Sequence, residues 1–306
     1  MRAAQTLNYR MISVCVPVYN ADVRNLALIL DKQARQLAVP VELVFIDDAS
    51  DEDFRKTNRE VHKFGRFIEL DANIGRARIR NLFLKYTVYN YLLFLDCDAK
   101  ILSNDFLKNY VSAIPSDYAD VVICGGKIYP EEKPERNRRL RWRYGILKES
   151  TPAKERRRFP NRSFMSNNFL ISRQLLIKFP FDENLSGYGH EDTLFGFNLK
   201  KNNINIVHTD NPVMNGELET NNEFLSKVNQ SIINLKKTLE ITQYDQNYIK
   251  DNKLLRFYYC NRKLRFLLTP VLGMIFPVIK FLLTSGFVSI WLLDIYKYRM
   301  FVKQMR

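Results

Sequence analysis

Tyr91-Leu92-Leu93-Phe94-Leu95-Asp96-Cys97-Asp98 is an apolar run that stops abruptly in two carboxylates. The apolar part has the length and make-up of a buried strand. A strand that delivers two carboxylates at its C-terminal end offers hard oxygen ligands to Mg²⁺ or Mn²⁺. Such a cation can hold a diphosphate, which leaves room for another carboxylate across a cleft to act as general base. Gly187-Tyr188-Gly189-His190-Glu191-Asp192 supplies that second group: a glycine-loosened turn, a Glu-Asp pair, then a helical apolar pattern over 191–201. The pattern implies a metal-dependent transferase that uses a nucleotide-linked donor.

Upstream, strands and helices alternate. Met11–Val16 reads as a strand ended by Pro17, which cannot donate to a ladder. Residues 24–37 carry helical periodicity, and Val41–Ile46 is the next strand, followed by Asp47-Asp48-Ala49-Ser50, where Ser50 or Asp51 can cap a helix. Arg66–Leu70 is a third strand, 76–86 a helix and Tyr91–Leu95 a fourth strand. Near-continuous apolar strands separated by helices indicate a parallel sheet covered on both faces. Ligands of such sheets bind at the carboxyl ends of the strands, where Pro17, Asp47, Asp48, Asp96 and Asp98 all fall. Ile204–His208 is a late strand, and 221–241 reads as a polar helix.

The chain has 306 residues, 46% of them hydrophobic, ample for a core, and a formal charge of +14 that calls for an anionic partner. Cys15, Cys97, Cys124 and Cys260 have no paired spacing and read as reduced thiols. Met1–Arg10 lacks the apolar core of a signal peptide, so a cytosolic catalytic part is expected. Between 127 and 162 Arg136, Arg138, Arg139, Arg141, Arg143, Lys148, Lys154, Arg156, Arg157, Arg158 and Arg162 interleave with Trp142, Tyr144 and Phe159. This stretch reads as a long excursion from the sheet, mobile until an anion binds. Near the C-terminus, Phe266–Ile279 and Phe281–Leu293 are apolar runs split by Lys280 and broken by Pro270, Gly273, Pro277 and Gly286. Each is shorter than the ~20 residues of a spanning helix. Arg262, Lys263 and Arg265 flank one end and Lys297, Arg299, Lys303 and Arg306 the other, with Trp291, Tyr296 and Tyr298 as interfacial aromatics. The reading is an interface-lying or re-entrant element on anionic lipid, with a hairpin packed on the catalytic domain as the alternative.

Pro17-Val18-Tyr19-Asn20, Asp47-Asp48-Ala49-Ser50, Asn73-Ile74-Gly75 with Arg80-Asn81, Asp96-Cys97-Asp98 and Gly189-His190-Glu191-Asp192 follow one another in order. Together, over residues 11–215, they resemble the family 2 glycosyltransferases, inverting enzymes of GT-A fold. The glycine-rich turn is similar to that of chondroitin-polymerase and galactosyltransferase-type domains, and the basic stretch and apolar tail to bacterial surface-polysaccharide transferases. The resemblance implies an α/β, Rossmann-like, mixed but mainly parallel sheet with helices on both faces, plus a C-terminal helical membrane-associating element. The implied domains are 1–245, catalytic, and 246–306.

It further implies a UDP-sugar donor, a glycan or lipid-linked acceptor, and Mn²⁺ or Mg²⁺. Pro17, Tyr19, Asp47 and Asp48 would meet the nucleotide, with Tyr19 stacking on the base and Asp48 accepting from uracil; the alternative is that the aspartates merely cap a helix. Asn73, Gly75 and Arg80 would lie near the phosphates, Arg80 neutralising them or pairing with Asp96; Ile79 stands where the family has a small residue. Asp98 would bind the metal, Asp96 the ribose or metal-bound water, and a third ligand would be Asn215, near where relatives commonly carry His, or His208, whose alternative is a satisfied core histidine. Asp192 would be the base and Glu191 an acceptor contact, with Asn167 and Asn168 touching sugar hydroxyls and His190 a wall of the site.

The expected function is sugar transfer in bacterial surface-polysaccharide synthesis at the cytoplasmic face of the inner membrane, the protein being peripheral or monotopic. A non-catalytic membrane-associated module and a nucleotidyltransferase are the alternatives; the latter lacks its Gly-rich loop after the first strand. The basic stretch could close on the donor, sit on lipid or bind an acidic acceptor. Nucleic acid is not expected as a partner, because the chain carries a complete carboxylate site.

Overall fold

The structure, a computed structural model, describes residues 10–117, 119–261, 265–287 and 289–306. The readings made of residues 1–9, of Arg262 and Lys263, and of the Arg265 side chain lie outside the described parts. The chain packs as two compact units. One takes in the chain up to Ile128, Ser150–Asn184 and Glu191–Gly216; the other takes in Tyr129–Glu149, Leu185–His190 and Glu217–Arg306.

The first half carries β1 (Ile12–Val18), α1 (Arg24–Ala34), β2 (Val41–Asp47), α2 (Glu52–Asn58), β3 (Arg66–Glu69), α3 (Arg76–Tyr86) and β4 (Tyr91–Leu95). Then come β5 (Ala99–Ile101), α4 (Phe106–Ala113), β6 (Val122–Cys124), β7 (Lys127–Ile128), α5 (Arg139–Tyr144), α6 (Ala153–Arg156), β8 (Asn168–Ser172) and α7 (Arg173–Lys178). The remainder is α8 (Glu191–Lys201), β9 (Val207–His208), β10 (Val213–Asn215), α9 (Asn221–Ile241), α10 (Gln246–Asp251), α11 (Lys253–Cys260), α12 (Arg265–Thr284) and α13 (Ile290–Gln304).

In the first unit a seven-stranded sheet runs β3-β2-β1-β4-β8-β6-β9. The pairs β3-β2, β2-β1, β1-β4 and β6-β9 are parallel, and β8 is antiparallel to both neighbours. Side-chain alternation splits β4 between two cores. Tyr91, Leu93 and Leu95 join Leu26, Leu30, Phe106 and Leu107 from α1 and α4. Leu92 and Phe94 join Ala77, Phe83, Leu176, Phe195 and Leu199 from α3, α7 and α8. Phe94 stacks on Phe169 at 5.0 Å and meets Phe83 edge-on at 5.6 Å. Burying each such ring stabilises by about 1.5–3 kcal/mol, which fixes the strand that carries the two carboxylates. A second sheet, β5-β10-β7, had no clear sequence signal, being built of strands of two or three residues.

Pro17 does not end β1, which runs on to Val18. The Ile12 N–H and the Val18 carbonyl both bond on the β2 side, so the Pro17 nitrogen faces β4. That ladder has already stopped at Cys15–Phe94, so no bond is lost.

The second unit is helical. Leu140, Phe224, Leu225, Val228, Ile279, Leu283, Leu293 and Tyr296 form its core. Because α9 and Tyr129–Glu149 pack into this core, the division between units falls elsewhere than at the 245/246 boundary expected above. The basic stretch is built rather than loose. Arg141 is buried, held by Glu149 at 3.0 Å and Glu219 at 3.1 Å and bonded to the Tyr129 hydroxyl. Trp142 Nε1 donates to the Pro130 carbonyl at 2.8 Å.

In the tail, α12 continues through Pro270, Pro277 and Lys280, so these do not split it; the chain turns at Gly286, where φ is +84°. Ile279 and Leu283 face the core, whereas Val271, Met274, Ile275, Val278 and Phe281 are exposed, as are Phe287 and Trp291. No helix among the described residues is long and apolar enough to cross a membrane.

Candidate active site

β4 ends where expected, and its carboxylates are set by the neighbouring strand. The Asp96 N–H donates to the Asn167 carbonyl at 3.0 Å, just before β8, where Leu95 pairs with Asn168. Asp96 and Asp98 are both half-buried. Burial, opposed by a backbone hydrogen bond from Tyr19 and reinforced by Asp98 and Asp96, pushes the Cys97 thiol up to about 12. β10 places Asn215 opposite Ala99, and a Cβ on Gly216 would collide with the Asp98 carbonyl oxygen. Of the two candidates for a third ligand, Asn215 is therefore the one brought beside Asp98.

His208 is not available. Its Nε2 lies 2.8 Å from the Pro160 carbonyl, which can only accept, so Nε2 carries the proton. Nδ1 then accepts from Arg156 Nη1 at 2.7 Å. Burial, against the Pro160 carbonyl and with Arg156 and Arg157 nearby, holds its pKa down to about 4. The expectation of His208 as a metal ligand is corrected: both ring nitrogens are spent inside the sheet edge.

On the nucleotide side, Tyr19 is 53% exposed and available as a stacking platform. Asp48 is buried, and its carboxylate accepts from Ile74 N at 2.7 Å and Gly75 N at 3.0 Å, which anchors the start of α3. Burial lifts its carboxyl above the usual range despite these donors. Gly75 has φ +84°, a conformation that side chains disfavour. Asn73 Nδ2 donates to the Asp48 carbonyl at 3.0 Å and so braces the loop. Asp47 is the turn-former: its Oδ1 accepts from Ser50 N at 2.9 Å and lies 3.4 Å from Arg55 Nε. Asp51, not Ser50, is at the N-cap of α2, and its side chain makes no capping bond. The Ser50 hydroxyl accepts from Asn20 N at 2.8 Å, and the Asn20 amide meets Asp51, latching the two loops together. Asn20 and Ala49 both hold positive φ there, at 48° and 61°, strained geometry of the kind that gathers at ligand sites.

Arg80 joins the two acidic motifs. It is 2% exposed; Nη2 donates to Asp96 Oδ1 at 3.3 Å, Nη1 lies 3.8 Å from Glu191 Oε1, and the guanidinium stands 5.5 Å over the Phe181 ring. Of the two roles open to it, pairing with Asp96 is the one seen. The next residue, Asn81, exchanges bonds with the Phe181 backbone at 2.9 Å. Asp192, half-buried at the start of α8, accepts from Thr193 N at 2.7 Å. Burial and the adjacent Glu191 carboxylate push its carboxyl up to about 7, against Thr193 and Arg80. A carboxylate poised near neutrality suits a general base.

Asn168 is corrected as an acceptor contact. It is fully buried; Nδ2 donates to the Gly126 and Asn211 carbonyls at 2.9 Å each, and Oδ1 accepts from the Tyr110 hydroxyl at 2.6 Å. Its neighbour Asn167 differs: Nδ2 is buried with no hydrogen-bond partner among the described residues. Sequence reading passed over Arg76, which lies 3.8 Å from Glu191 and acts on Cys97. The i, i+4 spacing to Arg80 was the available signal. It passed over Thr193 as well, for which nothing in the sequence stood out.

No group of three or more His, Cys, Asp or Glu able to hold a metal occurs among the described residues. What is present, Asp96 and Asp98 with the Asn215 amide beside them, fits a hard cation that takes its other ligands from a diphosphate and water.

A seven-stranded mixed sheet with paired aspartates at the end of β4 and an acidic helix start is the GT-A arrangement. Residues 13–179, more than half the chain, match Glycosyl transferase family 2, and the protein belongs to that family; it is a glycosyltransferase. It is 25% identical over 229 residues to chondroitin synthase from Escherichia coli, an alignment covering 61% of this chain and 32% of that protein. The chain thus spans about a third of that relative's length. Among solved structures it is similar to a mannosyltransferase from Pyrobaculum calidifontis in complex with GDP-Man and Mn²⁺. The TM-score is 0.58 at 15% identity, over 96% of this chain and 86% of that one. Glucosyl-3-phosphoglycerate synthase from Mycobacterium tuberculosis, in complex with Mn²⁺, UDP and phosphoglyceric acid, gives 0.52 at 17% identity, over 75% and 78%.

Proposed function

We propose that the protein is an inverting transferase that moves a sugar from a UDP-sugar to a glycan or lipid-linked acceptor in bacterial surface-polysaccharide synthesis. The observation that carries this reading is the Arg80 bridge, which brings the paired carboxylates of β4 and the Glu191-Asp192 helix start into one site. Tyr19 holds the base, Asp48 and Asp47 shape the nucleotide loop, and Asp98 and Asp96, with Asn215 nearby, hold Mn²⁺ or Mg²⁺. When bound, that ion supplies charge neutralisation for the leaving diphosphate. Asp192 takes the proton from the acceptor hydroxyl as its oxygen bonds to the anomeric carbon and the carbon–oxygen bond to UDP breaks. The proton ends on Asp192 and the electron pair on UDP. Glu191 orients the acceptor, held by Arg76 and Arg80.

The Mn²⁺ complexes of the two structural neighbours and the UDP complex of the second support the metal and the donor. The likeness to chondroitin synthase supports the acceptor class. The exposed apolar face of α12 with Phe287 and Trp291 supports peripheral attachment at the cytoplasmic face of the inner membrane. The test is a panel of UDP-sugars with Mn²⁺, read by slow release of UDP, with the product's anomeric configuration assigned by NMR. Retained configuration, or turnover of no UDP-sugar, refutes it.

A further inference from the structure

The cations of the basic stretch fall into two groups with different surroundings. Arg136–Lys148 belongs to the helical unit, where Arg141 is buried and Trp142 and Tyr144 are packed inward. Residues 150–162 belong to the catalytic unit and are held to its sheet edge by one side chain. Arg156, 3% exposed, donates to the carbonyls of Thr151, Cys124, Gly125 and Thr209 at 2.8–3.1 Å and to His208. A Cβ on Gly126 would come within 2.6 Å of that guanidinium, so glycine is needed for the fit. Asp210 Oδ1 accepts from Ala153 N at 2.7 Å and fixes the start of α6.

What this staple presents outward is a row of exposed cations around one exposed ring. Arg158 is paired with Glu155 at 2.9 Å. Lys154, Arg157 and Arg162 have no carboxylate partner among the described residues. Arg157 spends only Nε, on the His208 carbonyl at 3.0 Å, and keeps the rest of its fork outward. Phe159 is 52% exposed, with the Arg162 guanidinium 4.3 Å from its ring centroid. Arg162, at the end of the row, is five positions before Asn167, whose carbonyl accepts from the Asp96 N–H, so its Cα lies within at most about 18 Å of the Asn167 Cα.

We infer that Lys154, Arg157, Phe159 and Arg162 form a binding track for an anionic glycan, the acceptor strand behind its reacting end. The inference rests on the transferase reading and adds the acceptor's charge. Guanidinium forks match carboxylates or phosphodiesters in two-point contacts. A lone aromatic ring offers an apolar face to a sugar ring, whereas single-stranded nucleic acid calls for successive stacking rings. A lipid surface would call for an apolar stripe, which α6 does not offer.

The test uses the full chain and defined probes: an oligogalacturonate, a neutral malto-oligosaccharide of equal length, single-stranded DNA and phosphatidylglycerol vesicles, alongside UDP with Mn²⁺. The wild type is expected to bind the uronate in a salt-sensitive way and the neutral oligomer not at all. Lys154→Gln/Arg157→Gln/Arg162→Gln is expected to weaken the uronate by about tenfold, three exposed ion pairs' worth, with UDP–Mn²⁺ affinity unchanged. Phe159→Ala is expected to weaken the uronate and spare DNA. Wild-type uronate affinity in the triple variant, tighter binding of DNA than of uronate, or a loss of vesicle binding in the triple variant as large as its loss of uronate, overturns the inference. Failure of wild-type UDP–Mn²⁺ binding would instead strike the transferase reading itself.

Discussion

Arg80 Nη1 lies 3.8 Å from Glu191 Oε1, a meeting of two residues far apart in the chain, since α3 and α8 pack into the same core beside β4. Since the same guanidinium holds Asp96, its removal takes a partner from the buried Glu191 and the half-buried Asp96. Arg80→Gln is expected to destabilise by about 3–5 kcal/mol, the usual cost of breaking a buried pair, measured by chemical denaturation. It also removes the positive charge that opposes protonation of Asp192, so the acid limb of the rate profile moves to higher pH. Arg80→Lys keeps the charge and should leave that limb in place.

Asp192→Asn is expected to cut transfer by about 10²–10⁴, with UDP affinity unchanged in calorimetry. In the wild type, kcat/KM should fall below a pH of about 7, where the carboxyl takes up its proton. The stability consequence has the opposite sense to activity. A raised carboxyl binds its proton more tightly when folded, so this contribution is favourable at low pH and is lost as pH rises from the unfolded value through the folded one. The Asn variant should therefore melt higher than wild type above pH 7, with the gain gone by pH 4.

Metal binding should separate Asp98 from His208. Asp98→Ala is expected to weaken Mn²⁺, followed by electron paramagnetic resonance with UDP present, by at least about 10–100-fold. His208→Gln should leave Mn²⁺ affinity unchanged and lower stability by about 1–3 kcal/mol, because Arg156 and the Pro160 carbonyl lose partners. Loss of Mn²⁺ in the His208 variant would restore it as a ligand.

Attachment to lipid should depend on the outer face of α12. Met274→Glu/Val278→Glu alters two exposed positions, Met274 at 82% and Val278 at 59% exposure, so folding should be unchanged. Affinity for phosphatidylglycerol vesicles, read by sedimentation, should drop by up to about 10²–10⁴, the contribution of two buried side chains at about 1.5–3 kcal/mol each. Equal sedimentation would place the contact elsewhere.

The strand Tyr91–Leu95 and the helices 76–86, 191–201 and 221–241 were readable to the residue, because each has a long apolar period and clear ends. Asp96 stands out in the sequence as a carboxylate at the end of an apolar run, and Glu191 and Asp192 as an acidic pair after a glycine-rich turn; the structure places them at the end of β4 and the start of α8. His208 was left open between ligand and core histidine, and Asn168 was misread, for one reason: their polar atoms are taken up by groups from distant segments, and no local pattern announces such partners. Pro17 and Lys280 were misread as breaks for another. Each sits where the group it lacks or carries faces away from a ladder or core, which depends on neighbours rather than on the residue.

The cysteines give the molecule a built-in reporter. Burial raises the thiols of Cys15, Cys97 and Cys124 far from reactivity, while Cys260 is exposed at the end of α11. A maleimide dye at neutral pH should therefore settle on Cys260 alone, without any cysteine being engineered out. Carried by the helical unit, the dye would sense a change of polarity when vesicles are added, and so follow attachment in the native sequence in real time.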